Sequence, residues 1–561
     1  MQQFTESQRA RNAIRVIKTT ADALVLRGYY KPSGRSGLKL AEAFKILSPE
    51  IYGSMNDPRI VELKGLEYVI ERLPLGIERC NRVILTAQEQ FDDTSFEKIL
   101  PAKRRRSSYR VSDTEICFVI TRGLSEIYDI LTHITFLNIE ASKIHNQMRD
   151  REKNLTSPWK DLEKIISQKT ILSDDELDHA LWNLSIILGR TFHETKESYT
   201  YLEKYANDTS SHNILFNIIH GLGMRMDGEK ESRDNELLIS FTPALNDMIA
   251  SQMYGQKWAF NLKQRLSDLK LDKRPIHIIS ANMHSVRNLL YGYATMKAKK
   301  KKIPEGDIYS LIKDSVKMDE DIQEFAEKNG QTFVHDTSGA YIDCQIMDTE
   351  KLKTVKLHPK CRIDLSTIKD KMPVIIVMDY AFGTQAFEVM DELLDPENVE
   401  GEPVALDVRS ISIMGKAGIL PGKKGDIMLA TVHVFEGTGD NYPFDNDLVK
   451  EDFDKDVDVY EGPIVTVIGT SLQNRDVLKR FQTSTWKAVG LEMEGGHYQK
   501  AISSAMIRGH ISNTVKLRYA YYASDNPLVS GQTLASGSMG EEGIKPTYMI
   551  TKIIIEKVMA D

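Results

Sequence analysis

Leu491-Glu492-Met493-Glu494-Gly495-Gly496 and, about thirty residues on, Ala523-Ser524-Asp525-Asn526-Pro527 are the stretches that decide how this chain is read. Each follows an apolar run with the character of a strand. Lys487-Ala488-Val489-Gly490-Leu491 leads into the first, and Leu517-Arg518-Tyr519-Ala520-Tyr521-Tyr522 into the second. A carboxylate at a strand end, just before a helix or loop, stands where open α/β sheets place their ligands. Two such acids on separate strands can converge on one small molecule, one holding hydroxyls while the other gives up a proton.

Two further stretches lie upstream: Ile411-Ser412-Ile413-Met414-Gly415-Lys416-Ala417-Gly418-Ile419-Leu420 with Gly425-Asp426-Ile427-Met428, and Gly462-Pro463-Ile464-Val465-Thr466-Val467. The four together, in order and spacing, resemble the nucleoside phosphorylase superfamily, whose enzymes cleave the bond between ribose and a base. The first of the upstream pair is similar to the family's Gly-x-Ala-Gly-Gly-Leu turn and the Gly-Asp-Ile/Val strand after it. Ser524-Asp525-Asn526-Pro527 and the large extra N-terminal region look most like AMP nucleosidase. The resemblance covers roughly residues 370–561, about a third of the chain.

The resemblance implies a site. Asp525 protonates the departing purine, Glu494 accepts hydrogen bonds from the ribose 2′- and 3′-hydroxyls, and Met493 packs its thioether on the sugar. Glu492 borders the site or starts a helix, where the dipole favours an acid. Gly415, Lys416, Ala417 and Gly418 form a turn beside the ribose and the nucleophile, with Lys416 either on a 5′-phosphate or in solvent. Ser471 and Leu472 lie where the family contacts the base, and Ser524 flanks the acid. Cleavage passes through an oxocarbenium-like state, so a raised pKa is required of Asp525 and a nearby carboxylate is needed for the cation. Without the other stretches, Ser-Asp-Asn-Pro reads as turn chemistry alone.

The chain departs from the family in three places. Lys416 stands where a small residue is common, and Ile419 replaces the second glycine of the pair. After the apolar strand Val374–Met378 comes Asp379-Tyr380-Ala381-Phe382-Gly383-Thr384, which is neither the water-activating glutamate of methylthioadenosine-type nucleosidases nor the phosphate-binding Gly-Asp-Pro of hexameric phosphorylases. Asp379 is the nearby candidate base. Lack of Gly-Asp-Pro favours hydrolysis over phosphorolysis. A phosphorylase, a nucleotide sensor that has lost turnover, and a scaffold built on the helical half stay open as alternatives.

Composition bounds the rest. A chain of 561 residues is expected to fold as two or three domains. A net charge of −7 is too mild to imply nucleic acid or a membrane surface. Cys80, Cys117, Cys344 and Cys361 form no paired motif, so neither zinc nor a disulfide framework is indicated. Met1–Arg11 lacks the apolar core of a secretory signal, and no apolar run is long enough for a bilayer, so a cytoplasmic protein is expected. The expected partner is a nucleoside or nucleotide, with phosphate as a co-substrate if phosphorolysis holds. No cofactor or metal is expected, and superfamily habit implies a homo-oligomer.

Along the chain, residues 1–270 read as a mostly α-helical domain, because Glu115–Ile144 and Asp175–Tyr205 carry apolar residues at three- and four-residue spacing. Lys103–Arg106 and Lys297–Lys302 read as solvated charge runs. Residues 271–369 read as an α/β connecting region. In it the buried-strand pattern Ile276–Ile279 passes through Ser280-Ala281-Asn282-Met283-His284-Ser285 into a helix. That turn lacks phosphate-binding glycines and is expected to be a plain connection. Residues 370–561 read as a catalytic α/β domain, a twisted mixed sheet flanked by helices.

Overall fold

The computed structural model describes residues 5–87, 90–104, 106–168, 172–206, 213–301, 308–309, 318–361, 363, 372–399, 402–529 and 541–561. They form two units. One comprises residues 1–121, 126–251 and 471–477, the other residues 122–125, 252–470 and 478–561.

The first unit carries nine described helices: α1 (Glu6–Arg27), α2 (Arg35–Leu47), α3 (Leu63–Ile70), α4 (Gly123–Met148), α5 (Ser157–Gln168), α6 (Asp174–Leu188), α7 (Phe192–Ala206), α8 (Ile214–Glu231) and α9 (Pro243–Ser251). Besides these helices it holds strands that the three- and four-residue periodicity does not show. A six-stranded sheet runs through it in the order β1-β6-β2-β5-β4-β3, from β1 (Tyr29–Tyr30), β2 (Arg82–Thr86), β3 (Glu97–Lys98), β4 (Ser107–Ser112), β5 (Glu115–Val119) and β6 (Leu238–Phe241). The segment Glu115–Ile144 divides accordingly. Ile116–Val119 are all buried, as in a strand covered on both faces, and the chain turns at Gly123, φ 65°, the first residue of α4.

The basic run is also not a solvated loop. Lys103 pairs with Glu71 at 2.6 Å, Arg104 lies 3.6 Å from Asp129, and Arg106, 2% exposed, pairs with Asp129 and Glu126. These buried carboxylates give the cations partners that water would otherwise supply. Arg105 lies outside the described residues, as does Lys302 of the second run, whose Lys297–Lys301 close a helix and begin the turn after it.

The second unit is a ten-stranded mixed sheet with helices packed on it. Its strands are β7 (Ile276–Ser280), β8 (Gln331–Val334), β9 (Cys344–Asp348), β10 (Val374–Met378), β13 (Val408–Ile419), β14 (Ile427–Phe435), β15 (Asn441–Pro443), β16 (Val459–Thr466), β17 (Gly490–Glu492) and β18 (Lys516–Asp525). A separate hairpin pairs β11 (Glu397–Val399) with β12 (Glu402–Val404). The region 271–369 does not merely connect: β7 sits between β10 and β13, parallel to both. The helices are α10 (Met253–Asp268), α11 (Ser285–Ala298), α12 (Asp319–Lys328), α13 (Gln385–Leu394), α14 (Gly495–Arg508) and α15 (Ile544–Ala560), besides the shorter Thr349–Leu352 and Arg475–Thr483. Leu289 and Leu290 of α11 and Ile550 and Ile554 of α15 share one core with Ile375 and Val377 of β10, Leu429 of β14 and Tyr522 of β18. Between α10 and α14 packs α13.

Two features of this sheet position a site. The strands β13, β18, β14, β16 and β17 pair in succession and β17 returns to β13, so they close a ring. One edge of β13 is fully taken by β18. On the other edge β7 reaches only to Ile413 (opposite Ser280), and β17 covers only Gly418 and Ile419. Between them Met414, Gly415, Lys416 and Ala417 have no strand partner on that edge among the described residues. At about 3.3 Å per residue, the gap from Ile413 to Gly418 is about 16 Å long.

The four cysteines are free and buried. Among the described residues, no helix is long and apolar enough to cross a membrane.

Candidate functional site

Chain direction makes the gap in β13 a meeting point. β7 runs parallel to β13 and leaves the sheet at Ser280, so Ala281–His284 diverge at one end of the gap. β17 runs antiparallel and leaves at Glu492, so Met493 and Glu494 diverge at the other. Across β13, Asp525 stands opposite Gly418, where a bulge leaves Ser524 out of register. Leu491 and Asp525 therefore flank the same residue of β13, about 10 Å apart at ordinary strand spacing. Gly415–Gly418 is thus a strand edge and not the turn expected. At Gly415 a Cβ would make ordinary contacts, 3.6 Å from Tyr380 Cε1 and 3.9 Å from Tyr521 Cδ1.

Glu494 is the cap of α14, and its Oε1 accepts the Gly383 amide at 3.0 Å. Its position is fixed by Glu492. That buried carboxylate accepts the Glu494 and Gly495 amides through Oε2 and the Thr466 hydroxyl through Oε1 at 2.6 Å, with His433 Nδ1 at 3.5 Å. Burial would raise its pKa, but His433, Thr466 and the Gly495 amide outweigh it and hold Glu492 below the ordinary value. Glu492 is a helix-start anchor. Gly495 is required by close approach, since a Cβ there would collide with the Tyr521 hydroxyl and the His433 ring. Glu492→Gln should lower the melting temperature by a shift equivalent to about 1–3 kcal/mol, as the anchor loses its charge. An unchanged melting temperature would show that Glu492 does not fix this turn. The depressed pKa gives a sign: stability from Glu492 is present above the unfolded carboxyl pKa and is lost as pH falls through the folded one.

Asp525 is 5% exposed. Its Oδ1 accepts the Ser524 hydroxyl at 2.5 Å, while its buried Oδ2 has no hydrogen-bond partner among the described residues. Burial raises its pKa; the Ser524 bond and the charges of Lys416 and Lys424 only partly oppose this. Asn526 ties the turn down, donating to Leu420 O at 3.2 Å and Gly422 O at 2.7 Å and accepting the Leu528 amide at 2.9 Å. The turn chemistry of Ser-Asp-Asn-Pro is thus real and belongs to Asn526, which leaves Asp525 its second oxygen.

The remaining candidates distribute as follows. Met493 is half-buried beside Glu494, and Lys416 is exposed. The Ala417 carbonyl accepts the Ser524 hydroxyl at 3.3 Å. Asp379 ends β10, one strand farther from β13 than β7, and its Oδ1 accepts the Tyr380 amide at 2.8 Å. Ser471 and Leu472 cluster with the first unit. Sequence reasoning missed Asn282, Tyr380, Gly383, His433, Tyr498 and Tyr521. Asn282 hydrogen-bonds Tyr380, and the Tyr498 hydroxyl meets Ser280 Oγ at 3.1 Å and feels the charges of Glu494 and Asp379. The available signal was the run Ile276–Ser280: a short strand dominated by isoleucine is a central strand, and its turn then opens at the ligand edge.

The model of a family described as "Family of unknown function (DUF6909)" matches residues 38–303 and 309–560. No curated protein matches. Among solved structures, the chain is similar to the 5′-methylthioadenosine/S-adenosyl homocysteine nucleosidase of Campylobacter jejuni, at 12% identity and TM-score 0.30, over 51% of this chain and 100% of that one. It is similar to the futalosine hydrolase of Helicobacter pylori strain 26695, at 13% identity and TM-score 0.30, over 51% and 98%. It is also similar to a uridine phosphorylase of Schistosoma mansoni, at 13% identity and TM-score 0.29, over 54% and 89%.

Proposed function

The chain belongs to this family of unknown function, whose description carries no chemistry, and from the site itself we propose an N-ribosyl hydrolase acting on a purine nucleoside or nucleotide. The observation that carries the reading is Asp525: a buried carboxyl with one unpartnered oxygen and a raised pKa, on the strand opposite the residue that Leu491 pairs. Such a group keeps its proton to higher pH than an exposed aspartate does and has an oxygen free to deliver it.

The reaction follows from the placement. The ribose lies in the gap of β13 with its hydroxyls on Glu494. As the bond from C1′ to the base nitrogen breaks, its electron pair moves into the base, which takes the Asp525 proton. The Glu494 carboxylate faces the positive charge growing on the sugar. Water then bonds to C1′. Water is favoured over phosphate because the groups placed at the gap, Asn282, Tyr380, Glu494 and Asp525, are neutral or acidic, while Lys416 is exposed. A phosphate dianion there would have two carboxyl groups beside it, against the exposed Lys416 as its cation.

The test is incubation of the purified full chain with a panel of nucleosides and nucleotides, with and without phosphate, and chromatography for free base. Base release independent of phosphate supports the reading, release that requires phosphate makes it a phosphorylase, and no release from any compound leaves a binding protein on this fold. Lys416→Ala should lower kcat/KM about tenfold for 5′-phosphorylated substrates and leave the nucleosides unchanged, the scale of one partly exposed charge-assisted hydrogen bond. Equal effects on both classes would show that Lys416 does not read the phosphate.

A further inference from the structure

The proposed hydrolysis needs a group to take the proton of the attacking water, and neither Glu494 nor Asp525 is free for that task. We infer that His284 is this base: the β7 end carries it out of the sheet at the gap in β13, opposite the exit of Glu494. The inference rests on the hydrolase reading above.

Three observations support it. The first is topological: Ser280 pairs with Ile413, the last residue of β13 before the gap, and His284 follows four residues later as the cap of α11. Second, the intervening turn is fastened to the site. Ser280 holds Tyr498, whose hydroxyl feels Glu494, and Asn282 holds Tyr380, whose ring lies against Gly415. Third, the imidazole is oriented at one end only. Nδ1 meets the Tyr548 hydroxyl at 2.9 Å, and the tautomer assigned to the base is the one in which Nδ1–H donates to that hydroxyl oxygen, which leaves the lone pair on Nε2, an atom with no hydrogen-bond partner among the described residues. The groups around it are Tyr548 and Asn288, which share a hydrogen bond, and the ion pair of Arg287 with Asp319. Burial and then Arg287 lower its pKa, so the ring is neutral when it must accept a proton.

Asp379 is the rival. It leaves the sheet from β10, which β7 separates from β13, and its Oδ1 already holds its own turn. A half-buried imidazole at a helix start is a weak base. Weakness is tolerable here, because water that has begun to bond to an oxocarbenium carbon is itself acidic. The step balances: the water oxygen bonds to C1′, the bond to the base breaks with its pair going to the base, Asp525 supplies the proton to the base, and Nε2 takes the proton from water.

Azide tests this, because it is an anion that bonds to C1′ without losing a proton. With wild-type release established on a given substrate, His284→Ala should lower kcat about 10²-fold with little change in KM, the low end of general-base effects. Added sodium azide should restore base release and yield the ribosyl azide. His284→Asn, which keeps a partner for Tyr548, should show the same loss and the same rescue, and Asp379→Asn should keep near-wild-type turnover. Wild-type turnover in both His284 variants overturns the assignment. So does a loss that azide does not relieve, or azide rescue confined to Asp379→Asn. Absence of release from the wild type would fall on the hydrolase reading itself.

Discussion

Asp525→Asn lowers base release by about 10²–10⁴-fold while substrate still binds, the usual scale of a lost general acid. The amide is nearly isosteric and can keep the Ser524 hydroxyl on its oxygen, so the turn held by Asn526 should persist. Two pH effects accompany the loss. If Asp525 is the acid, the protonated carboxyl is the active form, so kcat/KM should fall as pH rises through its raised pKa, and the variant should lack that limb. Stability shifts in the opposite sense. A carboxyl whose folded pKa is raised contributes stability below its unfolded pKa and loses it as pH rises through the folded one. At neutral pH the wild type therefore carries a buried charge that the variant does not, and Asp525→Asn should melt higher at pH 7 and equally at acid pH. Wild-type-like turnover would remove Asp525 as the acid. A lower melting temperature at pH 7 would show that its charge is not buried at a disadvantage.

The second unit was legible where its strands are largely apolar or end in residues with a task. Val374–Met378, Ile411–Met414 and Leu517–Tyr522 can be little else than buried strands, and Glu494 and Asp525 mark where two of them stop. The first unit was not. Its strands are two to six residues long, and β6 at Leu238–Phe241 pairs with β1 at Tyr29 and β2 at Arg82–Leu85, partners more than 150 residues away. Pairing at that separation leaves no local period to read. In Ile116–Val119 the short apolar run merges with the helix that follows, and periodicity cannot divide them. The site shows the same limit. Its acids stand in the sequence, but the gap in β13 exists only because β7 stops at Ile413 and β17 begins at Gly418, a fact of pairing. For that reason the turn Ser280–His284 read as a plain connection.

Glu494→Gln should lower kcat/KM by about 10²–10³-fold, the scale of removing one preorganised electrostatic partner of a developing charge. Unlike the Asp525 change, it should divide between the constants. KM rises because the carboxylate holds hydroxyls in the ground state, and kcat falls because the same charge faces the cation in the transition state. The amide oxygen can still accept the Gly383 amide, so the turn set by Glu492 stays in place and the loss reports on charge. A substrate lacking the 2′- and 3′-hydroxyls separates the two contributions. If Glu494 works through those hydroxyls, the penalty of Glu494→Gln should shrink on the dideoxynucleoside to the part owed to the cation, a coupling read by a double cycle of enzyme and substrate changes. An equal penalty on both substrates would show that Glu494 does not hold the sugar, and its place at the gap would then be explained by the Gly383 amide alone.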